Sequence, residues 1–401
     1  MACTISIPLI STTVHAETEE EPVTERSFVC LAEQAIYHTN LFHLNRDMDV
    51  TQRLGPDASR YNTSLRTTAC IQERWQLNPQ EFKLTANIDD NRFLDNKILN
   101  HVSGNAALLW NWQVAKNWHG QAGGDYKRAL GTFVNDRPLV KDVVDSYHYF
   151  LEVNRDFGAH VVARVRGDRT DTSHDAESRR VDNYRNTTGV AEILLMSRAE
   201  NYLGFSAQRV QANYPFTVVI NDTVFDRDYR EETVSARAHY ELGSKTIFAA
   251  AVSHVKHDYE HDPSINYSGY TWRASLDWQP RGNIQFTVAG WKDLASYFDT
   301  EADHFISRGA SLTPRWMPHE KITLSLPLRW ERQQYIFRNI ATAGLLPRED
   351  EVKLAGVELL FRPRPSFDIN LNYGYEKRDS SIDAYSYLDE MTALQIRWSF
   401  L

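Results

Sequence analysis

The stretch Ser366-Phe-Asp-Ile-Asn-Leu-Asn-Tyr-Gly-Tyr-Glu376 decides how we expect this chain to fold. Successive side chains of an extended strand point to opposite faces, so strict alternation gives the strand one apolar and one polar face. The apolar face carries Phe367, Ile369, Leu371, Tyr373 and Tyr375. A slip of one residue would move this whole set to the other face, so the pattern also fixes the register of pairing.

The same alternation recurs along the chain, for example in residues 157–166, 270–278 and 321–331. These periodic runs last about ten to fifteen residues, whereas strands of soluble proteins cluster near five or six. A tilted strand needs roughly nine to eleven residues to cross a bilayer. The length of the runs therefore favours membrane-spanning strands over the short strands of a propeller blade.

The connections between these runs alternate in length. Nine longer polar segments alternate with eight short turns. Long connections at one end of the strands and short turns at the other are typical of an outer-membrane barrel with its short turns in the periplasm. The short turns fall near Asn78-Pro79, Lys116-Asn117, Arg155-Asp156, Ala199-Glu200, Gly243-Ser244, Pro280-Arg281-Gly282, Met317-Pro318-His319 and Arg362-Pro363-Arg364-Pro365. The sequence thus predicts an all-β, antiparallel, up-and-down transmembrane β-barrel of about 18 strands, with 16 or 20 as alternatives, and with both chain ends in the periplasm.

The composition is compatible with a barrel and excludes other classes. Of the 401 residues, 42% are hydrophobic and 12% aromatic. No stretch approaches the roughly 18 to 20 apolar residues of a membrane-spanning helix, whereas barrel strands present only every second side chain to lipid. The formal net charge of −9 argues against a nucleic-acid partner.

The first residues resemble an export signal. Ile5–Ile10 form a short apolar core, and Val14-His15-Ala16 resembles a cleavage site before an acidic run. We expect residues 1–16 to be a signal peptide whose true start lies upstream of Met1, residues 17–27 to be a short periplasmic segment, and residues 28–401 to form the barrel. The alternative is a disordered soluble N-terminus.

Two features are typical of barrels that cross a membrane. An aromatic residue precedes proline at several short turns, as in Trp75 to Pro79, Trp278 to Pro280 and Trp316 to Pro318. Tryptophan prefers the membrane interface, so this placement predicts an aromatic girdle on the periplasmic side. The chain also ends on an alternating strand with Trp398 and Phe400, which is typical of the closing strand that the barrel-insertion machinery recognises.

The opening of the barrel resembles a known family. The run Tyr37-His-Thr-Asn40-Leu41-Phe42-His-Leu44 is similar to the "Tyr-Asp-x-Asn-Leu-Phe" opening of EpsL-type exopolysaccharide-operon outer-membrane proteins, with His38 in place of the aspartate. The hairpin Arg74-Trp75-Gln-Leu77-Asn-Pro79 is similar to that family's "Arg-Trp-x-Leu-Thr-Pro" turn, and the likeness in strand rhythm covers residues 28–401. The resemblance implies an outer-membrane role in exopolysaccharide biosynthesis or export, as a conduit or scaffold for the polymer, with a polysaccharide export lipoprotein as a candidate partner.

The candidate functional site is the wall of the lumen. An arginine on the lipid side would cost about 2–4 kcal/mol at the membrane midplane, so we expect the arginines of the candidate site to point inward. The predicted ligand-binding residues are Arg164, Arg166, Arg237, Arg273, Arg329, Arg397, Asp277 and Asp368. Guanidinium groups bind carboxylates and hydroxyl-rich sugars through forked hydrogen bonds, which fits a polysaccharide conduit. The alternatives are a general or small-solute porin, whose charges pair with one another, and an outer-membrane hydrolase.

Catalysis and metal binding have little support in the sequence. It contains no nucleophile elbow and no zinc-hydrolase helix motif, so we expect no enzyme and no cofactor. The richest metal-like group, between His254 and Asp262, fits no tight zinc pattern, so we expect no metal. We read Cys30 and Cys70 as lying on neighbouring strands, where they form either a disulfide or two free thiols. The remaining expected partners are outer-membrane lipid and lipopolysaccharide.

Overall fold

The computed structural model describes most of the chain. The described residues are 27–56, 58–133, 140–197, 201–220, 223–225, 227–260, 263–296, 302–337 and 348–400. The predicted signal peptide, residues 1–16, lies outside them, as does the following segment up to residue 26. In the described part of the chain no helix has the length and apolar character needed to span a membrane.

Eighteen antiparallel strands form one closed sheet in the described residues. The strands are β1 (Phe28–His38), β2 (Asn62–Leu77), β3 (Gln80–Phe93), β4 (His101–Ala115), β5 (Trp118–Leu130), β6 (Val143–Phe157), β7 (Val161–His174), β8 (Tyr184–Met196), β9 (Tyr202–Asn213), β10 (Tyr229–Glu241), β11 (Thr246–Tyr259), β12 (Tyr267–Arg281), β13 (Ile284–Ser296), β14 (Ala302–His319), β15 (Ile322–Ser325 and Leu328–Phe337), β16 (Glu349–Arg364), β17 (Phe367–Ser380) and β18 (Tyr387–Phe400). Each strand pairs with its neighbours in sequence, and β1 also pairs with β18, which closes the barrel. The predicted fold class and strand number are confirmed.

Alternation sets the register as the sequence predicts. On β17, Leu371 lies opposite Leu359 of β16 and Leu394 of β18, and all three side chains are exposed on the outer face. Asp368 of the same strand has the opposite orientation and is only 7% exposed. The outer surface is therefore an apolar band that contacts lipid, and the polar face of each strand lines the interior.

Most short connections lie where the sequence predicts them, but some positions were wrong. The predicted turn at Arg155-Asp156 is part of β6, which continues to Phe157 because residues 156 and 157 still pair with β7. The turn follows at Gly158, whose φ of 71° favours glycine. The predicted Ala199-Glu200 turn lies outside the described residues.

Three prolines that the sequence assigns to turns lie instead within the ends of strands. Pro280, Pro318 and Pro363 are part of the last residues of β12, β14 and β16, where the pairing register shifts. A β-bulge leaves one residue outside the hydrogen-bonded ladder, so a proline without an N–H fits there. The prolines thus end the regular pairing shortly before each turn.

Aromatic side chains form a belt around the periplasmic end. Trp75, Trp278 and Trp316 lie close to short turns, and each is nearly half exposed on the outer face. Trp398 and Phe400 continue the belt on β18, beside the N-terminal end of β1. Their placement fits the predicted girdle at the membrane interface.

Cys30 and Cys70 face each other across β1 and β2. They are direct register partners, their Cα atoms lie 4.9 Å apart, and their sulfur atoms are bonded. Both side chains belong to the inner face of the barrel. The structure thus gives the disulfide geometry rather than two separated thiols.

Helical segments in the described residues all belong to the long connections. A short helix, α1 (Val50–Leu54), begins after Asp49, whose carboxylate accepts the Thr51 N–H at 2.9 Å. The 3-10 turns are Lys97–Leu99, Glu177–Asp182, Pro263–Ile265 and Asp383–Tyr385. A small hairpin, Val218–Ile220 with Thr223–Phe225, lies between β9 and β10. The structured loops therefore all lie at the end of the barrel opposite the short turns.

Candidate functional site: the lumen wall

All eight predicted ligand-binding residues occupy inward positions of their strands. On β7, for example, Arg164 and Arg166 point inward, while Val165 between them points outward and is 61% exposed. A barrel of this size leaves a water-filled channel unless its loops fill it. The predicted residues therefore line a polar interior, and their contacts with one another decide what it can bind.

A histidine between two aspartates begins the most extended charged group. His148 on β6 lies with Nδ1 2.8 Å from Oδ2 of Asp125 on β5. Its Nε2 lies 3.1 Å from Oδ1 of Asp168 on β7. Arg166 donates to the same Asp168 at 2.7 Å, and its guanidinium lies 4.2 Å from the ring of Phe150. Both sides of the imidazole thus carry a carboxylate.

The group continues around the wall through two further arginines. Arg164 Nε lies 3.4 Å from a carboxylate oxygen of Glu152, and Arg164 Nη1 lies 3.4 Å from Glu192 on β8. Arg237 on β10 donates to Glu192 at 2.6 Å. We call the full series the charge ladder: Asp125, His148, Asp168, Arg166, Glu152, Arg164, Glu192 and Arg237. It alternates acidic and basic groups from β5 to β10.

A glycine makes the last step of the charge ladder possible. Arg237 reaches Glu192 across β9, and Gly204 of β9 is its direct register partner. A Cβ at Gly204 would lie 3.0 Å from Arg237 Cγ and 2.8 Å from Leu194. Any larger residue would push the guanidinium away from the wall, so Gly204 sets its position.

A second cluster surrounds Arg329 on the opposite part of the wall. Trp291 Nε1 donates to Ser307 Oγ at 2.9 Å, and Ser307 donates to Glu331 at 2.8 Å. Arg329 donates to the same Glu331 at 3.1 Å and lies 4.9 Å from the Trp291 ring. The ring lies against Gly309, where a Cβ would come within 2.3 Å of it. The indole of this cluster is buried, and only the Arg329 guanidinium is partly exposed to the lumen.

The other predicted residues form smaller groups. Near the periplasmic end, Asp368 accepts from Arg397 and from Arg362, each through Nε at 2.9 Å. Arg273 donates to Asp293 of the next strand at 2.6 Å. These pairs lie apart from the charge ladder.

Asp277 completes the set of predicted residues. It accepts a hydrogen bond from Thr287 Oγ1 on β13. The predicted residues thus do not converge on one pocket but are distributed around the wall, and every predicted arginine has a carboxylate partner.

Sequence reasoning missed the partners of these arginines. Glu152, Glu192, Asp293 and Glu331 all occupy inward positions, and the period-two alternation of their own strands carried that information. Alternation shows which face a residue is on but not its neighbours on other strands. The register between strands decides which inward residues become neighbours, and alternation within one strand does not give it.

The first long connection, residues 39–61, which we call loop 1, packs against the mouth of the barrel. It carries an apolar core whose buried members are Phe42, Leu44, Val50, Phe93 and Leu99. Phe93 is an inward residue at the end of β3, so loop 1 packs against the inner wall. The Phe42 ring also contacts Phe133, with ring centroids 4.8 Å apart. Loop 1 therefore narrows the extracellular entrance.

Asn40 fastens loop 1 to the barrel. Its side-chain amide donates to the carbonyls of Leu44 at 2.8 Å and Leu388 at 3.0 Å, and its oxygen accepts the Leu44 N–H at 3.1 Å. Its backbone N–H donates to Asp389 of β18 at 2.8 Å. His38 Nδ1 lies 2.8 Å from the same carboxylate. The motif that carried the family resemblance thus has a structural role in positioning loop 1.

Arg60 holds the other end of loop 1. Its guanidinium donates to the carbonyls of Leu44 and Asn45 at 2.9 Å and of Met48 at 2.6 Å. Burial lowers the pKa of Arg60 from its ordinary value. A single cation therefore links three carbonyls of loop 1.

A carboxylate organises another loop of the same rim. Asp142, just before β6, lies 2.7 Å from His174 Nδ1 and accepts the Ala176 N–H at 3.3 Å. Burial acts to raise the pKa of Asp142, but these contacts and the nearby Arg179 outweigh it, so the pKa lies below its usual range. Asp142 is thus a charged anchor for the connection that follows β7.

The described residues include no group of three or more side chains suited to hold a metal ion. His254 points outward and His257 inward on β11, so the two cannot share one ion. His261 and Asp262 of the same predicted group lie outside the described residues.

The closed barrel, its apolar outer band and its aromatic belt together define a β-barrel of the bacterial outer membrane. No protein-family model and no characterised protein matches the chain by sequence. By structure it is similar to a BenF-like porin from Pseudomonas fluorescens Pf-5, with a TM-score of 0.53 and 8% identity over 94% of this chain and 99% of that one. It is also similar to OccK2 (OpdF) of Pseudomonas aeruginosa in complex with glucuronate, with a TM-score of 0.51 and 10% identity over 94% and 99% of the two chains. At such identities the likeness establishes a porin-like fold.

Proposed function

We propose that this protein is an outer-membrane porin that passes small hydrophilic solutes bearing carboxylate or hydroxyl groups. The charge ladder on the inner wall is the observation that carries this proposal. Its arginines alternate with carboxylates, so a solute can exchange one wall contact for another as it moves. Porins carry out no chemical step, and we expect no catalytic activity here.

The self-paired charges favour a small-solute porin over a dedicated polymer channel. Each predicted arginine already has a carboxylate partner, so the wall offers weak, exchangeable contacts. Permeation requires binding that is favourable enough for entry and weak enough for release. Loop 1 at the mouth further restricts the entrance.

An exopolysaccharide role is a second proposal, supported by the resemblance of Tyr37–Leu44 and Arg74–Pro79 to EpsL-type proteins. The partly exposed guanidinium of Arg329 offers hydrogen bonds to sugar hydroxyl groups. A polysaccharide export lipoprotein would be its expected partner in the periplasm. Both roles use the same lumen, so one experiment can separate them.

The test is single-channel conductance in planar bilayers with the Arg164→Gln, Arg166→Gln double variant. We expect the wild type to conduct and glucuronate, as a small carboxylated sugar, to lower its current. The variant should lower the apparent affinity for glucuronate roughly threefold to tenfold, because two charge-assisted contacts are lost. The control is Arg169→Gln, since Arg169 is on the same strand but points outward.

The outcomes distinguish the two roles. A barrel that conducts no ions would contradict the porin proposal, and so would a glucuronate response that the double variant leaves unchanged. Stepwise block by an acidic polysaccharide, absent with its monosaccharide, would support the conduit. A current indifferent to the polymer would exclude the conduit and leave the porin intact.

A further inference from the structure

The outward-facing cations in the extracellular half of the barrel follow a common pattern. Six of them form an ion pair with a carboxylate two residues away on the same strand. These pairs are Arg92 with Asp90, Arg169 with Asp171, Arg230 with Glu232, Lys256 with Asp258, Lys353 with Glu351, and Lys377 with Asp379. Such self-pairing neutralises the outer surface locally.

Lys292 and Arg308 depart from this pattern. They are direct register partners on β13 and β14, and both point outward. Among the described residues, neither has a carboxylate within ion-pair distance. Arg332 on β15 is the next register partner of Arg308, but its guanidinium forms an ion pair with Glu349.

Two like charges directly opposite each other on a sheet are destabilising. The two groups Lys292 and Arg308 therefore favour an external anion that lies between them. A guanidinium and an ammonium side by side suit a phosphate, which accepts several hydrogen bonds at once. The missing partner is then a component of the surroundings rather than of the chain.

Their height on the barrel identifies those surroundings. A strand tilted by about 40° climbs roughly 2.6 Å per residue. Lys292 follows Ile284, the first residue of β13, by eight positions, so its Cα lies about 20 Å above the periplasmic rim. The long side chains of Lys292 and Arg308 extend the charges to the outer headgroup level of an apolar band about 25 Å tall. Trp272, the register partner of Lys292, is an exposed aromatic of the kind found at this interface.

We propose that Lys292 and Arg308 form a binding site for a phosphate group of lipopolysaccharide in the outer leaflet. The site lies on the outer wall, so it is independent of what the lumen carries. Arg332 lies beside this site, but its ion pair with Glu349 of β16 holds its guanidinium towards that strand. The occupant is a lipid headgroup because only lipid contacts this face at this height.

The test measures binding of purified lipopolysaccharide to the detergent-solubilised full-length barrel by isothermal titration calorimetry. We expect Lys292→Gln, Arg308→Gln to weaken binding roughly tenfold to thirtyfold, since each cation near an anionic lipid contributes appreciably. The matched control is Lys353→Gln, Lys377→Gln, another outward register pair on neighbouring strands whose members have their own carboxylates. It should change binding less than about threefold, as surface ion pairs contribute little.

Two further measurements test whether the charge of Arg308 and the phosphate of the lipid are what matter for binding. Arg308→Lys retains the charge and should retain most of the binding, and removal of the phosphates from lipopolysaccharide should reduce wild-type binding to the level of the double variant. Electrophoretic mobility of unheated samples checks that each variant is folded. Equal binding by wild type and double variant, or a wild type that does not distinguish phosphorylated from dephosphorylated lipid, would overturn the proposal.

Discussion

At the scale of single residues, Asn40 shows how one side chain can control the entrance. It makes three hydrogen bonds to the backbone, two of them within loop 1 and one to β18. A buried amide of this kind has no water to replace a lost partner. The position of loop 1 therefore depends on this residue more than on any exposed loop residue.

We expect Asn40→Ala to loosen loop 1 without unfolding the barrel. The substitution removes three hydrogen bonds and leaves backbone groups unsatisfied, which costs about 2–4 kcal/mol of local stability. Single-channel recordings should show larger and noisier currents, and protease should cut loop 1 faster. Asn117→Ala, in an exposed periplasmic turn, serves as the control. Unchanged currents and cleavage rates would show that Asn40 does not hold the loop.

At the scale of elements, the pairing of β1 with β2 and β18 closes the barrel. Cys30 of β1 is joined to Cys70 of β2, 40 positions further along the chain. A covalent link across such a loop removes conformations from the unfolded chain. The link therefore stabilises the edge at which the first and last strands must meet.

Because of the disulfide, we expect the stability of the barrel to depend on reducing agent. Reduction should lower the free energy of unfolding by about 3–4 kcal/mol and shift the urea midpoint accordingly. Alkylation of the denatured protein should label Cys30 and Cys70 only after reductant is added. Cys70→Ser should unfold like the reduced wild type and should not respond to reductant. Labelling of both residues without reductant would contradict the bond.

At the scale of the whole molecule, lipid on one face of every strand and water on the other determine the architecture. Leu371 is exposed on the outer face between Leu359 and Leu394, whereas its neighbour Asn372 points into the lumen. Leu371→Arg should destabilise the barrel in lipid vesicles by about 2–4 kcal/mol, measured by urea unfolding. Asn372→Arg, one residue away, should change the stability by less than about 1 kcal/mol because water reaches it. Equal effects at both positions would rule out a lipid-facing outer wall.

Much of the fold could be predicted because its main signal is local. The alternation in residues 366–376 needs only adjacent side chains, so strand identity, the inward orientation of Arg164 and the even strand number followed from the chain alone. The turn at Arg155-Asp156 was misplaced because pairing with β7 extends β6 further than its composition indicates. Prolines marked the turns only approximately, since β-bulges place them within the strands.

The sequence by itself determined which side of the barrel wall each strand residue belongs to, because the side-chain period of a strand is two and lipid accepts only one of its faces. Only the tertiary structure decided which inward residues meet. Arg164 and Glu192 are 28 positions apart, and Asn40 contacts Leu388 across the closure of the barrel. Such contacts depend on the combined registers of the strand pairs, and no local pattern in the chain specifies those registers.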